Sequence, residues 1–357
     1  MNIGNDEGNN FFKGRGAQLN TKNPYLKTEY TAEHPEGIDE AMFENSATQY
    51  LEEFPKKIVN KVDSPDLNLM YSLNPYQGCE HGCIYCYARN SHQYWGYSAG
   101  LDFERKIIVK KNAPELLEAC FEKKTWTGTP IVLSGNTDCY QPVERKLKIT
   151  RRLLKVFLKY RSPVSIITKN ALILRDLDLL RELNSLDLLH VSVSLTSLNE
   201  ELRQFLEPRT VTAKGRLKVI RSLSEEGIPV RVMTAPIIPG LNSEEIPRLI
   251  KAAAAAGASA AGYTIVRLNG AIGQIFEDWL HKSFPDRASK VLHLISECHQ
   301  GNLNDSRFGA RMRGDGNIAD MISKLFHTSV NRHLKGRAMR PLNSSAFKRP
   351  SDQLSLF

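Results

Sequence analysis

Short apolar runs recur along the chain at intervals of about thirty residues, the length of one strand–helix–strand unit. The runs are continuous rather than alternating, which is typical of parallel strands that are buried on both faces. They predict strands at Leu69–Leu73, Ile131–Leu133, Val164–Thr168, His190–Leu195, Val230–Thr234 and Tyr263–Val266.

A helical pattern follows each predicted strand. Six such units are too few for an eight-stranded barrel, so the pattern allows either a doubly wound sheet or a partial barrel. In both architectures, ligands bind at the carboxyl ends of the strands. The predicted helices are Pro114–Lys123, Glu144–Tyr160, Ile173–Leu183, Val211–Glu226, Ser243–Ala256 and Ala288–His299.

The two ends of the chain differ from its middle. Residues 1–57 have no sustained period and carry six basic and ten acidic residues, a net charge of −4, which favours an extended or partly disordered arm. Residues 301–357 carry ten basic and four acidic residues, a net charge of +6, with a helix predicted after Asn317. We therefore divide the chain into an N-terminal arm (1–57), a barrel (58–270), a C-terminal helical extension (271–335) and a flexible basic tail (336–357).

Composition narrows the class of protein. The 357 residues include 48 Lys+Arg and 39 Asp+Glu, a net charge of +9, which fits either a polyanionic partner or an ordinary basic surplus. No apolar run reaches the roughly 18 residues of a membrane span. The first residues lack the basic and apolar regions of a signal peptide, so we expect a cytoplasmic protein without membrane contact. Its six cysteines then need an explanation other than disulfides.

Three of the cysteines follow the first predicted strand. Cys79, Cys83 and Cys86 have the spacing C-x3-C-x2-C. Three thiolates on one loop suit a four-iron cluster with one open iron, whereas a structural zinc site has four protein ligands. A zinc knuckle completed by His81 or His92 is the alternative. Cys120 and Cys298 stand apart from the loop and fit small buried hydrophobic residues.

With Tyr85 in the aromatic position, this loop resembles the C-x3-C-x-aromatic-C motif of the radical S-adenosylmethionine (SAM) superfamily. The resemblance implies an α/β fold, a partial (βα)6 TIM-type barrel, with an N-terminal extended arm and a C-terminal helical and basic tail. It implies a [4Fe-4S] cluster on Cys79, Cys83 and Cys86, with SAM bound to the open iron. It also implies one electron from a donor such as flavodoxin or ferredoxin, and a 5′-deoxyadenosyl radical that removes a substrate hydrogen.

Within the superfamily, the chain resembles the spore photoproduct lyase-like, DNA repair photolyase-related group. Tyr85 and Tyr87 match the tyrosines that flank the third cysteine of the lyases, one of which lies near the cofactor and both of which are proposed to relay hydrogen. The resemblance therefore also implies that Tyr85 is a cofactor-binding residue. The hydrogen-donor cysteine of the lyases aligns with Asn136, so the nearby Cys139 becomes the third catalytic candidate. The matching segments are Cys83–Arg89, Ser134–Glu144, Thr168–Asn170 and Glu207–Arg209.

Several polar residues stand at predicted strand ends, where they could contact the methionyl or ribose part of SAM. Arg209 is the favoured candidate because its guanidinium can bind a carboxylate in a planar fork. Ordinary loop and strand roles stay open for Lys169 and Ser194. The candidates are Asn136, Thr168, Lys169, Ser194 and Arg209.

Five cations advance by three and four residues along the predicted helix Glu144–Tyr160, which places them on one helix face. Such a stripe fits a solvated face or a nucleic-acid contact. The five are Arg145, Lys148, Arg152, Lys155 and Lys159.

The last five residues resemble the bacterial sliding-clamp-binding motif, an extended peptide that docks its Leu and Phe in an apolar pocket. The alternative is a tail that packs on its own domain. The five are Gln353, Leu354, Ser355, Leu356 and Phe357.

The leading hypothesis is thus a radical SAM enzyme, lyase-like, that acts on nucleic acid in DNA repair and is recruited by the clamp. One alternative keeps the radical chemistry but places it on RNA or a small metabolite. A second alternative is a non-catalytic iron–sulfur accessory protein that binds DNA or the clamp.

Overall fold

A computed structural model of the chain describes residues 12–26, 47–67 and 70–350. Six of its strands coincide with the six predicted apolar runs, although Leu69 lies outside the described residues. The strands within the described residues are β1 (Gln49–Glu53), β2 (Val59–Lys61), β3 (Tyr71–Leu73), β4 (Tyr76–Gln77), β5 (Lys106–Lys110), β6 (Ile131–Leu133), β7 (Val164–Thr168), β8 (Leu189–Ser194), β9 (Val230–Ile237) and β10 (Ala260–Ile265).

Seven of these strands form one sheet in the order β10-β9-β8-β7-β6-β3-β2. Neighbours are parallel except β2, which pairs antiparallel with β3. The parallel strands follow one another in chain order, without the reversal of a doubly wound sheet. In the described part of the chain, β10 and β2 stay unpaired edges, so the barrel is open. The predicted partial barrel of the α/β class is confirmed.

Helices cover the outer face of the sheet, as the helical patterns predicted. Most predicted bounds are correct to within a few residues, and α1, α6 and α9 are additions. The α-helices within the described residues are α1 (Leu101–Arg105), α2 (Ala113–Phe121), α3 (Glu144–Leu147), α4 (Ile149–Lys159), α5 (Leu177–Ser185), α6 (Glu200–Leu206), α7 (Ala213–Glu225), α8 (Ile246–Ala255), α9 (Ala271–Ser283), α10 (Pro285–Glu297) and α11 (Asn317–His333).

The predicted helix from residue 144 to residue 160 is wrong in one respect, because Lys148 divides it into α3 and α4. Lys148 adopts a left-handed conformation with φ of 53°. The buried carboxylate of Glu144 accepts a hydrogen bond from the Thr150 N–H at 3.1 Å and so holds the first turn of α4. Arg145 therefore lies on a different helix from Arg152 and the later cations of the predicted stripe.

A second sheet joins the N-terminal arm to the barrel. Its order is β1-β5-β4, with β1 parallel to β5 and Tyr50 opposite Ile107. Residues 12–26 lie against the same region, where Leu19 accepts a backbone hydrogen bond from Leu101 at 3.1 Å. Parts of the arm are thus ordered, while residues 1–11 and 27–46 lie outside the described residues.

Three hydrophobic clusters make up the core within the described residues, and the smallest contains Cys79 with Ala88 and Phe103. The largest cluster lies between the main sheet and its helices. The second is built on α9 and α10 around Phe276 and Trp279, and it includes Cys83 and Tyr85. The C-terminal helical extension therefore packs directly beneath the cysteine loop.

After α11 the chain crosses the amino-terminal ends of the strands. The Arg340 carbonyl contacts the His190 ring at 2.6 Å, and the Lys348 N–H donates to the Tyr160 carbonyl at 3.0 Å. The Arg349 guanidinium donates to the carbonyls of Phe121 and Trp126 at 3.0 and 2.9 Å. We call residues 340–349 the base segment.

A search of the described residues for membrane spans finds no helix that combines the necessary length and apolar character.

Candidate functional site

Residues 78–86, here called the cysteine loop, follow β4 and fold against α1 and α6. The Cys79 N–H donates to the Phe103 carbonyl at 2.8 Å, and the Ile84 N–H donates to the Leu206 carbonyl at 3.0 Å. Gly82 has φ of +67°, and a side-chain Cβ at this position would lie 2.7 Å from a Glu104 oxygen. The loop can adopt this path only with glycine at residue 82.

A buried ion pair holds the cysteine loop from below. Arg89 and Glu104 are both 0% exposed and meet at 2.5 Å. The Arg89 guanidinium also donates to the Cys83 carbonyl at 2.9 and 3.0 Å. Glu104 in turn accepts from the N–H groups of Gly16 and Ala17 at 3.1 and 2.8 Å. Loop, arm and α1 are therefore joined through one pair of charges.

The three cysteines of the loop are neighbours in the fold, since Cys86 packs against both the cluster that contains Cys79 and the cluster that contains Cys83. Cys79 and Cys83 are buried and Cys86 is half-buried. Burial raises the pKa of the Cys79 thiol well above its usual value, and negative charge on Asp138, Cys83 and Cys86 raises it further. Burial also raises the pKa of Cys83 to about 12. A metal centre that binds here must displace thiol protons.

The zinc alternative is not favoured by this geometry. Among the described residues, no three His, Cys, Asp or Glu side chains lie close enough to hold one metal ion. His81 contacts protein groups through both ring nitrogens, Asp138 at 3.5 Å and Asn170 at 3.2 Å. The His92 ring is buried between the rings of Tyr97 and Phe103. A multi-iron cluster separates its thiolates more widely than one zinc ion does, and it suits this donor set.

Tyr85 lies in a buried polar network that the sequence did not predict as a unit. Its hydroxyl donates to the carboxylate of Glu207, which also accepts from Arg216 and, at 2.7 Å, from Thr196. Although burial opposes ionisation, Arg216 and Lys169 lower the pKa of Glu207 to about 2. In the sequence, Glu207 stands out only because it lies in a segment that matches the lyase-like group, and no sequence pattern marks Arg216 of α7. Glu207 follows the end of α6 rather than the end of a strand, so position along the chain gave no clue to this partner.

Asp138 organises a second network between β6 and β7. Its carboxylate accepts from the Thr168 hydroxyl at 2.9 and 3.0 Å and from the Lys169 N–H at 2.8 Å. The Thr168 hydroxyl accepts from the Asn170 N–H at 2.9 Å, so its hydrogen-bonding capacity is used within the protein. Thr168 thereby positions the loop after β7.

Lys169 brings a positive charge to the thiols. Its ammonium lies 6.0 Å from the centre of the Tyr85 ring. Although burial opposes the charged form, negative charge at Cys83, Glu207 and Cys86 raises the pKa of Lys169. Ser194 ends β8 nearby, and its carbonyl accepts from Arg216 at 3.1 Å.

Tyr87, Asn136 and Arg267 define what we call the mouth, at the carboxyl ends of β6 and β10. Tyr87 is 52% exposed, and its hydroxyl donates to the Gly135 carbonyl. Asn136 is exposed, and its N–H donates to the Asn74 side chain at 2.8 Å. Within the described residues, the half-buried Arg267 guanidinium has no hydrogen bond or ion pair, and burial lowers its pKa.

Two sequence-predicted residues lie apart from this assembly. Arg209 is exposed on the outer side of the cysteine loop, where its N–H donates to the His81 carbonyl at 3.3 Å. Its guanidinium reaches the Thr48 hydroxyl at 3.5 Å. Cys139 is 0% exposed in the main hydrophobic core, and burial raises the pKa of its thiol. The structure brings neither side chain to the mouth.

Comparison with known proteins agrees with this geometry. An uncharacterized protein of Mycobacterium tuberculosis is 32% identical over 242 residues, which cover 67% of this chain and 71% of that protein. Spore photoproduct lyase in complex with dinucleoside spore photoproduct has a TM-score of 0.60 at 15% identity, with 82% of each chain covered. A double mutant of that lyase with AdoMet and the dinucleoside bound has a TM-score of 0.59 at 15% identity and the same coverage.

These solved structures show the fold of the chain. The family assignment comes from a protein-family model, the Radical SAM superfamily, which matches residues 73–253. This match spans half of the chain and includes the cysteine loop, β6 to β9 and the Glu207 network. The chain belongs to the radical SAM superfamily.

Proposed function

We propose that the chain is a radical SAM enzyme that binds a [4Fe-4S] cluster through Cys79, Cys83 and Cys86 and acts on nucleic acid. A DNA lesion is the leading substrate, and the reaction is lyase-like. The observation that carries the proposal is the packing of three cysteines from one loop around Cys86, with Lys169 and Tyr85 beside them at the carboxyl end of the sheet. The lyase of similar fold has been solved with AdoMet and a dinucleoside lesion, which supports the same classes of ligand here.

The residues around the thiols fit such a cofactor pair. When bound, the cluster and SAM supply a 5′-deoxyadenosyl radical that removes a hydrogen atom from the substrate. Lys169 offsets the negative charge of the thiolates, and Tyr85 is held in place by Glu207. Asn136 and Ser194 stay candidates for contacts with SAM, since both lie at strand ends beside this group. Thr168 acts as a positioning residue through Asp138.

The mouth supports a nucleic-acid substrate. Arg267 is half-buried beside Tyr87 and Arg311, and it forms no ion pair within the described residues. The nearby carboxylate of Asp66 is paired with Arg311. The Arg311 guanidinium lies 4.4 Å from the centre of the Phe308 ring, which is 59% exposed. Guanidinium groups and exposed aromatic rings are the groups that bind phosphates and unstacked bases.

The test is substrate-dependent formation of 5′-deoxyadenosine by anaerobically reconstituted protein with dithionite as reductant. We expect ultraviolet-irradiated DNA to increase formation above the substrate-free rate, and unmodified DNA and RNA to increase it less. Binding to irradiated DNA should weaken steeply as salt is raised, because phosphate contacts release counterions.

Each alternative predicts a different result in the same assay. Stimulation by RNA alone would move the substrate to RNA. Stimulation by no nucleic acid, together with binding that salt does not change, would favour a small metabolite. Cluster binding without 5′-deoxyadenosine under any condition would favour the non-catalytic accessory protein.

A variant of Cys139 tests its predicted role in hydrogen return. Because the thiol is fully buried in the main core, we expect Cys139→Ala to leave the product distribution unchanged. It should lower the free energy of unfolding by about 1–2 kcal/mol, since removal of a buried group leaves a small cavity. Urea denaturation and chromatography of the products measure the two effects. A changed product ratio at unchanged stability would make Cys139 the hydrogen donor.

Clamp binding stays a prediction. Residues 353–357 lie outside the described residues, and the motif itself is the support for a sliding-clamp partner. The base segment, which immediately precedes this region, is docked on the barrel through Arg349.

A further inference from the structure

A cavity of about 450 Å³ lies on the outer side of the cysteine loop. We call it the lateral cavity. It is lined by the first turns after β6 and β7, by the segment after α6 and by Tyr50 of β1. Neither Tyr87 nor Arg267 lines it, so it is separate from the mouth in the part of the chain that the structure describes.

Three cations surround the lateral cavity, namely Arg145, Lys146 and Arg209. All three are exposed, and none forms an ion pair with a described residue. No acidic residue lines the cavity. Two carboxylates behind the lining already have partners: Glu80 accepts from the Tyr50 hydroxyl at 3.0 Å and the Val143 N–H at 2.8 Å, and Glu207 accepts from the Thr210 hydroxyl at 3.3 Å and from Arg216. Three positive charges that converge without a counterion create a strong local potential for an anion.

The rest of the lining is suited to a planar, partly apolar group. Tyr50 is 46% exposed, and its hydroxyl bond to Glu80 fixes the ring beside the cavity. Val143 and Leu172 supply apolar surface, and Asn170 supplies an amide for hydrogen bonding. The volume is within the range of about 300–1,000 Å³ that is usual for small-ligand sites.

We propose that the lateral cavity binds a nucleotide unit, with its phosphate on Arg145, Lys146 and Arg209 and its base against Tyr50 and Leu172. A nucleic-acid strand or a free nucleotide can supply this unit. The choice of a nucleotide rests on the proposed function, since a strand bound at the mouth brings further phosphates to the same molecule.

The lateral cavity is also joined to the cysteine loop. Arg209 donates its N–H to the His81 carbonyl, and Tyr50 is bonded to Glu80, so both contacts fall between Cys79 and Cys83. A ligand that orders Arg209 and Tyr50 therefore acts on the segment that holds two of the three thiols.

The experiment compares two triple variants that lose the same charge. Arg145→Gln/Lys146→Gln/Arg209→Gln removes the cations of the cavity. The control, Lys218→Gln/Arg221→Gln/Lys251→Gln, removes three exposed cations on α7 and α8 that do not line it. Binding of a fluorescein-labelled single-stranded DNA is measured by anisotropy over a salt series, and binding of AMP is measured by calorimetry. Circular dichroism verifies that both variants are folded.

We expect the cavity variant to bind single-stranded DNA more weakly and with a shallower salt dependence. The slope of log K against log salt concentration should fall in magnitude by about 0.7 for each phosphate that the variant no longer neutralises. The control should bind as the wild type does. Binding of AMP by the wild type and not by the cavity variant would identify free nucleotide as a source, whereas weaker binding of DNA alone would identify the strand.

Unchanged DNA and AMP binding in the cavity variant would overturn the inference. The inference would also be overturned if the cavity variant bound DNA and AMP normally but flavodoxin reduced its cluster more slowly than dithionite did. That result would indicate that the cavity face docks an acidic electron carrier. These binding measurements do not require catalytic turnover. Failure of the lateral-cavity inference can therefore be distinguished from failure of the proposed radical SAM reaction.

Discussion

Anaerobically reconstituted Cys86→Ala protein should lack the iron–sulfur absorbance of the wild type and should form 5′-deoxyadenosine only at the background rate. Cys86 is the half-buried member of the three loop cysteines, and no fourth cysteine of the chain lies on the loop to replace it. Loss of one of three thiolates leaves a multi-iron centre without the ligand set that holds it. Absorbance, iron content and chromatography of SAM products measure the effect.

Cys120→Ala is the matched control, since it removes a half-buried cysteine that lies on α2, away from the loop. Iron content and SAM cleavage should stay at wild-type values. Retention of both the absorbance and SAM cleavage in Cys86→Ala would refute the assignment of the cluster to this loop. Equal losses in both cysteine variants would show a general failure of folding or reconstitution.

Replacement of Arg89 by methionine should lower the free energy of unfolding by about 3–5 kcal/mol, the cost of leaving a buried charge without its partner. The variant takes away the guanidinium that contacts the fully buried Glu104 at 2.5 Å and leaves Arg15 as a more distant positive charge. It also removes both hydrogen bonds to the Cys83 carbonyl. We therefore expect poor incorporation of iron even into the fraction of the protein that is folded. Urea denaturation measures the free energy of unfolding, and iron content per folded chain measures how much cluster the cysteine loop incorporates.

Arg181→Met is the control for Arg89→Met. Arg181 pairs with Glu226 on the surface, where both groups are largely in water, so the change should cost no more than about 1 kcal/mol. A double variant, Arg89→Met/Glu104→Gln, should recover part of the stability because the unpaired carboxylate is gone. Wild-type stability and iron content in Arg89→Met would show that the pair does not support the loop.

The sheet could be predicted from the sequence because its strands are continuous apolar runs with regular spacing. Ile131–Leu133 is buried at every position, and Val164–Thr168 alternates between buried and half-buried positions; both were assigned correctly to the residue. The path between α3 and α4 could not be predicted, since it depends on a left-handed lysine and a buried glutamate that no periodic pattern marks.

The candidate site was predictable only where its residues are close in sequence. The spacing of Cys79, Cys83 and Cys86 indicated one centre, whereas the predicted contact of Lys169 with SAM stays a prediction. Glu104 is 15 residues from Arg89, and the Tyr85–Glu207 contact spans 122 residues. Such pairs arise from tertiary packing. Tertiary packing also determines that Arg209 lies on the outer side of the cysteine loop and that Cys139 lies in the main hydrophobic core.

The base segment determines where the chain leaves the barrel. It crosses the amino-terminal ends of β6, β7 and β8, opposite the mouth, and the last residue described after it is Pro350. The seven residues beyond can span at most about 25 Å when fully extended. A protein that binds the terminal pentapeptide must therefore lie close to the amino-terminal ends of the strands, on the side of the barrel opposite the mouth. The mouth, at the carboxyl ends of the strands, then faces away from that partner.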